Sequence, residues 1–180
     1  EGVNDFTEAL KLNTKRKDIL LERAYAFIEL GNNKSAIKDL NDVILLDSKN
    51  LEAHLLRGSI YQDEKDYKKA LEEFDLCVLI SPNNDTAYVN RGLLKEEMKN
   101  NEGALEDFNK AISINNKNSD YYFFKGKILN SMNKINGAIE DYSLAIKLNP
   151  DEPEYYFSRA KSKKEIGDLK GYEEDKALGE

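Results

Sequence analysis

His54 and Cys77 are the only histidine and the only cysteine in the sequence, and each stands alone. A single thiol excludes an internal disulfide. A zinc site draws three or four ligands from Cys, His and carboxylates, and neither residue has a second Cys or His to join it. No nucleophile and base can be assembled around His54. The acidic pairs Glu72-Glu73 and Glu96-Glu97 could serve as a general acid and base only if both carboxyls faced one site. Adjacent residues on a helix point apart, so these pairs read as solvated faces. His54 and Cys77 read as packing residues. No catalytic residue, metal or cofactor is called for, and the expectation is a protein that is not an enzyme. Asn33-Lys34-Ser35 and Asn84-Asp85-Thr86 match the glycosylation pattern, which is short and recurs by chance.

The charged residues follow a rule. Arg23, Arg57, Arg91, Lys125 and Arg159 are spaced 34 apart, as are Asp39, Glu73, Asp107, Asp141 and Asp175. Each cation precedes its acid by 16. Two readings are open. One is a ladder of ion pairs, within a repeat or to the next one. The other is a cationic row for an acidic ligand.

The same period orders the apolar residues. In rows beginning at Lys17, Leu51, Asp85, Ser119 and Pro153, the columns align without a gap. The eighth column reads Ala24, Gly58, Gly92, Gly126, Ala160; the twentieth reads Ala36, Ala70, Ala104, Ala138. The twenty-fourth reads Leu40, Phe74, Phe108, Tyr142. A fixed period of this size marks a stack of like supersecondary units. Within each row, two stretches of about 14 residues carry apolar positions at helical spacing. The breaks between them, such as Gly31-Asn32 and Lys65-Asp66, carry residues that end one helix and cap the next. Ser81-Pro82-Asn83-Asn84 and Asn149-Pro150-Asp151 separate the rows. Helices are expected at 17–30 and 33–47 and at 34-residue offsets, with a lone helix near 2–12 and no strand. Gly58 is expected to face Ala70, and Gly126 to face Ala138, where two backbones approach closely.

These columns resemble the tetratricopeptide repeat. The second row supplies His54, Arg57-Gly58, Tyr61, Ala70, Phe74, Cys77 and Pro82; the fourth supplies Tyr122, Lys125-Gly126, Leu129, Ala138, Tyr142, Ala145 and Pro150. The resemblance implies an all-α, right-handed α-α superhelix of helix-turn-helix repeats in one domain, residues 1–180. Its parts would be a half repeat (1–16), full repeats 17–50, 51–84, 85–118 and 119–152, and a degraded capping repeat (153–180) with a short, frayed second helix. It also implies a concave groove lined by the first helix of each repeat, binding a peptide or protein segment. Carried onto this sequence, the groove comprises Leu21, Tyr25, Leu55, Val89, Leu93, Phe123, Lys127, Phe157 and Lys161. Leu21, Leu55, Val89, Phe123 and Phe157 form an apolar stripe, either a floor for anchors or inter-repeat packing. The family's Lys/Asn/Arg clamp for a C-terminal carboxylate is not matched: Leu21, Tyr25, Leu55 and Ser59 stand at its positions, and Asn90 survives alone. Glu29, Asp63, Glu96 and Glu97 precede Lys127, Lys161 and Lys164, which suits a ligand basic toward one end and acidic toward the other.

Composition agrees with a globular fold. The chain has 180 residues, 40% hydrophobic and 34% charged, with a net charge of −7. No basic stripe favours nucleic acid, and no apolar run is long enough to insert in a membrane. The first residue is not Met, so an upstream repeat or targeting segment is expected, with a cytoplasmic setting favoured. Val3, Phe6 and Leu10 recur at helical spacing on the half repeat. They are expected to leave an open apolar edge that meets an upstream repeat or a second copy of the chain. The alternative function is accordingly a structural module that self-associates through its exposed repeat ends.

Overall fold

A computed structural model describes residues 2–12 and 16–180. Eleven helices and no strands occur among the described residues. They are α1 (Gly2–Leu12), α2 (Lys17–Glu29), α3 (Asn33–Leu46), α4 (Leu51–Asp63), α5 (Tyr67–Ile80), α6 (Asp85–Glu97), α7 (Asn101–Ile114), α8 (Ser119–Ser131), α9 (Ile135–Leu148), α10 (Pro153–Glu165) and α11 (Leu169–Gly179). The expected lone helix at 2–12 is α1; residues 1 and 13–15 of the half repeat lie outside the described residues. The last helix holds as a helix to Gly179, with 11 residues where the equivalent helices have 14.

The boundaries follow from local chemistry. The residue two after each first helix is left-handed: Gly31, Lys65, Lys99, Asn133 and Gly167 all have φ between 60° and 84°. Glycine takes this conformation without steric cost, whereas Lys65 and Lys99 hold it because the hairpin demands it. The next residue caps the second helix. Asn32, Asp66, Asn100 and Asp168 each accept a backbone N–H three residues on. Lys134 breaks this series and gives α9 no side-chain cap. Asn50 and Asn84 cap α4 and α6 in the same way.

The chain divides into two compact units, residues 1–82 and 83–180, at the turn after α5. In the first unit α2 pairs with α3 and α4 with α5, while α1 packs on α2 and α3 on α4. Its core joins Leu10, Leu20, Ala24, Leu40, Val43 and Ile60. Leu10 is 6% exposed, so it belongs to this core and not to an open edge. Val3 and Phe6 stay half-buried. In the second unit α6 pairs with α7, α8 with α9 and α10 with α11, and successive hairpins stack. Phe108, Ile128, Phe123, Tyr142 and Tyr155 are its large core residues.

The small eighth column works differently from the expected glycine–alanine contact. A Cβ on Gly58 would sit 2.6 Å from the Phe74 ring, one on Gly92 3.1 Å from Phe108, and one on Gly126 2.7 Å from Tyr142. The aromatic ring itself, not Ala70 or Ala138, lies against the glycine. Volume is conserved across the pair. Where the eighth column is Ala24, its partner is the smaller Leu40, and both are fully buried. Gly58→Ala gains about 1 kcal/mol in helix propensity but overpacks Phe74 at a cost of about 1–3 kcal/mol. We expect a net loss of stability in urea unfolding. Phe74→Leu should offset that loss when added to Gly58→Ala, because the pair then matches Ala24–Leu40. A Gly58→Ala protein as stable as wild type would show that the ring does not limit this crossing.

Candidate functional site

The charged columns form ion pairs inside each hairpin. The Arg23 guanidinium donates to both oxygens of Asp39 at 2.7 Å; Arg91 grips Asp107 at 2.9 and 2.6 Å, and Arg159 grips Asp175 at 2.8 and 2.6 Å. Arg57 donates twice to one oxygen of Glu73. The remaining guanidinium nitrogen reaches back to the preceding second helix: Arg23 to Thr7, Arg57 to Asn41 and Arg159 to Ser143. One side chain thus ties three helices. These arginines are only 16–18% exposed, which makes them framework and removes them from a ligand surface.

Two rows carry more than the plain pair. Lys95 and Lys163 add a second cation to Asp107 and Asp175 at 2.8 and 2.9 Å. Burial works to raise the Asp175 carboxyl, but hydrogen bonds from Arg159 and Lys163 hold it below its ordinary value. In the second row Glu73 replaces Asp, and its extra methylene lets it meet both Arg57 and His54. Nδ1 of His54 lies 2.7 Å from Glu73 Oε2, and Nε2 lies 3.1 Å from the Ser48 carbonyl. His54 is a buried, hydrogen-bonded side chain. Cys77 is fully buried, and burial pushes its thiol up to about 12. Among the described residues, no cluster of three acidic, His or Cys side chains could hold a metal.

The fourth repeat is the weak row. Lys125 offers Asp141 one hydrogen bond at 3.1 Å, and Asp141 Oδ2 is buried with no partner. Burial raises the Asp141 carboxyl, outweighing the Lys125 bond. A group raised in the folded state contributes stability at low pH and loses it as pH rises through the folded value. Wild type should therefore weaken as pH climbs above the ordinary 3.8 of an aspartate. Lys125→Arg supplies the missing second donor. It should add about 1 kcal/mol at pH 7, raise Tm by about 2–4 °C and flatten that pH dependence. An unchanged or lower Tm at pH 7 would mean that Oδ2 is satisfied in solution.

Above this framework the second unit holds a cleft of about 320 Å³. Glu96 comes from α6, Lys127, Asn130 and Ser131 from α8, and Glu154, Ser158 and Lys161 from α10. These helices supply it because the second, sixth, ninth, twelfth and thirteenth columns fall on one face at a spacing near 3.6. Lys127 Nζ stands 4.0 Å from Glu96 and 5.8 Å from the centre of the Phe123 ring. The floor is Tyr142 from α9. This residue is 2% exposed; its hydroxyl has no hydrogen-bond partner among the described residues, and the oxygen keeps solvent access through the cleft. Burial raises its phenol above the ordinary value, with Glu165 and Glu96 adding to the effect. The cleft therefore offers a neutral hydroxyl at its base, two ammonium groups and two carboxylates at its rim.

The sequence-based groove residues divide into three sets. Lys127 and Lys161 meet in this cleft. Val89 and Phe123, 7% and 4% exposed, lie in the core; Phe123 packs against Tyr155 and Tyr142 at 4.9 and 5.8 Å. Leu21, Leu55 and Leu93 are half-buried, and Leu21 and Leu93 pack on the cores of their units. Tyr25 and Phe157 are 39% and 44% exposed. Tyr25 donates to Glu52 at 2.8 Å, joining α2 to α4, and partial burial and that carboxylate push its phenol up to about 12. Ser158 and Tyr142 escaped the sequence reading. Tyr142 carried a signal, as the tyrosine in a column that holds Leu40, Phe74 and Phe108 in the three preceding rows.

Comparisons with known proteins place this architecture. The family model described as "Tetratricopeptide repeat" matches residues 18–50, 51–84 and 85–118, and a second, described as "TPR repeat", matches 126–167. The chain belongs to the tetratricopeptide repeat family. No curated protein matches it. Among solved structures, MamA of Desulfovibrio magneticus RS-1 superposes with a TM-score of 0.82 at 18% identity, over 91% of this chain and 92% of that one. YrrB, described as "a TPR protein with an unusual peptide-binding site", has a TM-score of 0.75 at 16% identity over 97% and 90%. PilF of Pseudomonas aeruginosa has a TM-score of 0.82 at 18% identity over 94% and 78%. These likenesses establish the fold as an all-α helical repeat. Among the described residues, no helix is long and apolar enough to cross a membrane.

Proposed function

We propose that the chain is a protein-interaction scaffold without chemistry of its own, and that the α6–α8–α10 cleft binds a peptide or protein segment. The observation that carries this reading is Tyr142, whose ring is almost wholly buried while its hydroxyl opens into the cleft with no partner among the described residues. A ligand hydrogen bond at that hydroxyl replaces one to water and contributes about 0.5–1.5 kcal/mol. The rim sets the ligand's polarity. Glu96 on α6 faces a basic group, and Lys161 on α10 faces an acidic one, with Lys127 between them. Membership of a family of interaction scaffolds supports the reading, as does a structural neighbour described as peptide-binding. Val89, Leu93, Phe123 and Phe157 of the second unit then support or border the groove, and Lys127 and Lys161 make contact; Leu21, Tyr25 and Leu55 belong to the first unit's own first helices.

A peptide array probed with wild type should select segments carrying opposite charges a few residues apart. Lys127→Glu/Lys161→Glu should weaken the selected peptides about tenfold or more, since charged hydrogen bonds contribute about 1.5–3 kcal/mol each. Tyr142→Phe keeps the ring and removes the hydroxyl, and should weaken them several-fold. Equal affinity for both variants and wild type would place the ligand elsewhere.

A second reading, self-association through the N-terminal edge, has one observation in its favour. Val3 lines a hollow of about 460 Å³ with Gly2, Asn4, Ala26, Glu29 and Leu30. Leu10 is taken up by the core, so Val3 and Phe6 carry this contact. Light scattering should show concentration-dependent association that Phe6→Asp abolishes. A wild type that stays monomeric at high concentration removes this reading.

A further inference from the structure

Asn136-Gly137 is the only Asn-Gly step in the sequence, and it falls in the first turn of α9. An asparagine side chain can close on the backbone nitrogen of the residue that follows it. Glycine favours that closure, because no Cβ shields its nitrogen and its backbone turns freely. Asn136 is exposed, and a Cβ on Gly137 would meet only the Leu129 side chain, at 3.3 Å. The dipeptide therefore stands in open surroundings.

The other repeats show what guards this nitrogen. In α3, α5, α7 and α11 the position of Gly137 is held by Ser35, Lys69, Gly103 and Gly171, and its N–H is taken by the side chain of Asn32, Asp66, Asn100 or Asp168. In α9 the capping position is Lys134, whose ammonium has no acceptor to offer, and no side chain caps the helix. Among the five second helices, the one without a side-chain cap is also the one that carries Asn-Gly.

A helical backbone holds the Gly137 nitrogen away from Cγ of Asn136, so ring closure requires the first turn to open. The unpaired N–H groups at a helix start make that turn the easiest to open, and a missing cap makes it easier still. We propose that Asn136 is a site of self-modification, at which the uncapped Gly137 nitrogen converts the asparagine to an acid through a cyclic imide. The Gly137 N–H gives its proton to water, its nitrogen bonds to Cγ, and the Cγ–Nδ2 bond breaks as ammonia leaves. Water then adds to one of the two ring carbonyls. Cleavage of the new N–Cγ bond gives aspartate. Cleavage of the original peptide bond gives isoaspartate, with the chain now running through Cγ. Water is consumed and ammonia released, and nothing is oxidised or reduced.

The product alters the hairpin in a defined direction. Aspartate at 136 puts a carboxylate where Glu102 stands in the first turn of α7, which favours the helix dipole. Isoaspartate lengthens the backbone by one methylene and breaks that turn. Both add negative charge to the helix that carries Asp141 and Tyr142.

The test is incubation of the whole chain in warm, mildly alkaline buffer, followed by trypsin and mass spectrometry. Residues 135–147 form one tryptic peptide in which Asn136 is the only asparagine. That peptide should gain the mass of an amide turned acid, and a methyltransferase specific for isoaspartate should label part of it. Asn118 and Asn130, each followed by serine, should keep their amides over the same time. Lys134→Asn restores the cap and should slow the loss at Asn136 about fivefold in the folded chain. In guanidinium chloride the two chains should react alike. An Asn136 that stays an amide, faster loss at Asn118 or Asn130, a folded-chain rate untouched by Lys134→Asn, or equal slowing in guanidinium chloride would each overturn the proposal.

Discussion

Everything in this molecule hangs on how closely the two helices of a hairpin approach. At Gly58 and Gly126 there is no room for even a Cβ against the ring that faces it, and at Gly92 one would be tight. Close approach sets the height of each hairpin and therefore the position of every column. It also brings the seventh and twenty-third columns within hydrogen-bond reach, so Arg91 and Asp107 meet as a fork on a carboxylate. The order of cause runs from volume to charge. The ion pairs do not pull the helices together; desolvating two charges opposes their attraction, and the pair adds geometry more than energy. What the pair does add is direction. The third guanidinium nitrogen of Arg57 and Arg159 finds the previous helix, so each hairpin is registered on its neighbour.

The rows that break the pattern show where this framework yields. Lys125 has the charge of an arginine but not its fork, and no second cation stands at Leu129, where Lys95 and Lys163 help their own rows. Asp141 is left half-satisfied as a result. The same repeat lacks a side-chain cap, because Lys134 replaces the Asn or Asp found at the start of the other second helices. Two independent departures fall on the one hairpin whose Tyr142 floors the cleft. Stability and the candidate site therefore meet in α8–α9, and a bound segment that touched Tyr142 would stabilise the weakest row of its unit.

Period and column type were enough to read the helices almost to the residue, because the same break recurs in every row and its αL residue is demanded by the turn even when it is lysine. The site was legible only in part. Lys127 and Lys161 could be placed because polar residues at one helical spacing share a face. Val89 and Phe123 could not be distinguished from groove residues, since an apolar column looks alike whether the next helix covers it or not; Phe123 and Phe157 share a column and differ tenfold in exposure. Tyr142 was hidden for another reason. Its ring belongs to the core column, and only its hydroxyl belongs to the cleft, so a residue-level reading assigns it wholly to packing. His54 was read as packing alone because the residue that pairs with it, Glu73, is 19 positions away on the partner helix.

Repetition also separates what a column fixes from what it leaves free. On α6, α8 and α10 the polar columns are fixed in place by the stacked hairpins, so substitution there changes ligand chemistry without moving the backbone. The fifth column shows the other half of the rule. Phe123 and Phe157 are both aromatic, yet one is 4% exposed and the other 44%, because Tyr155 lies across Phe123. Residue type sets what a column can pack against; the helix that crosses it sets whether the side chain is free to meet a ligand.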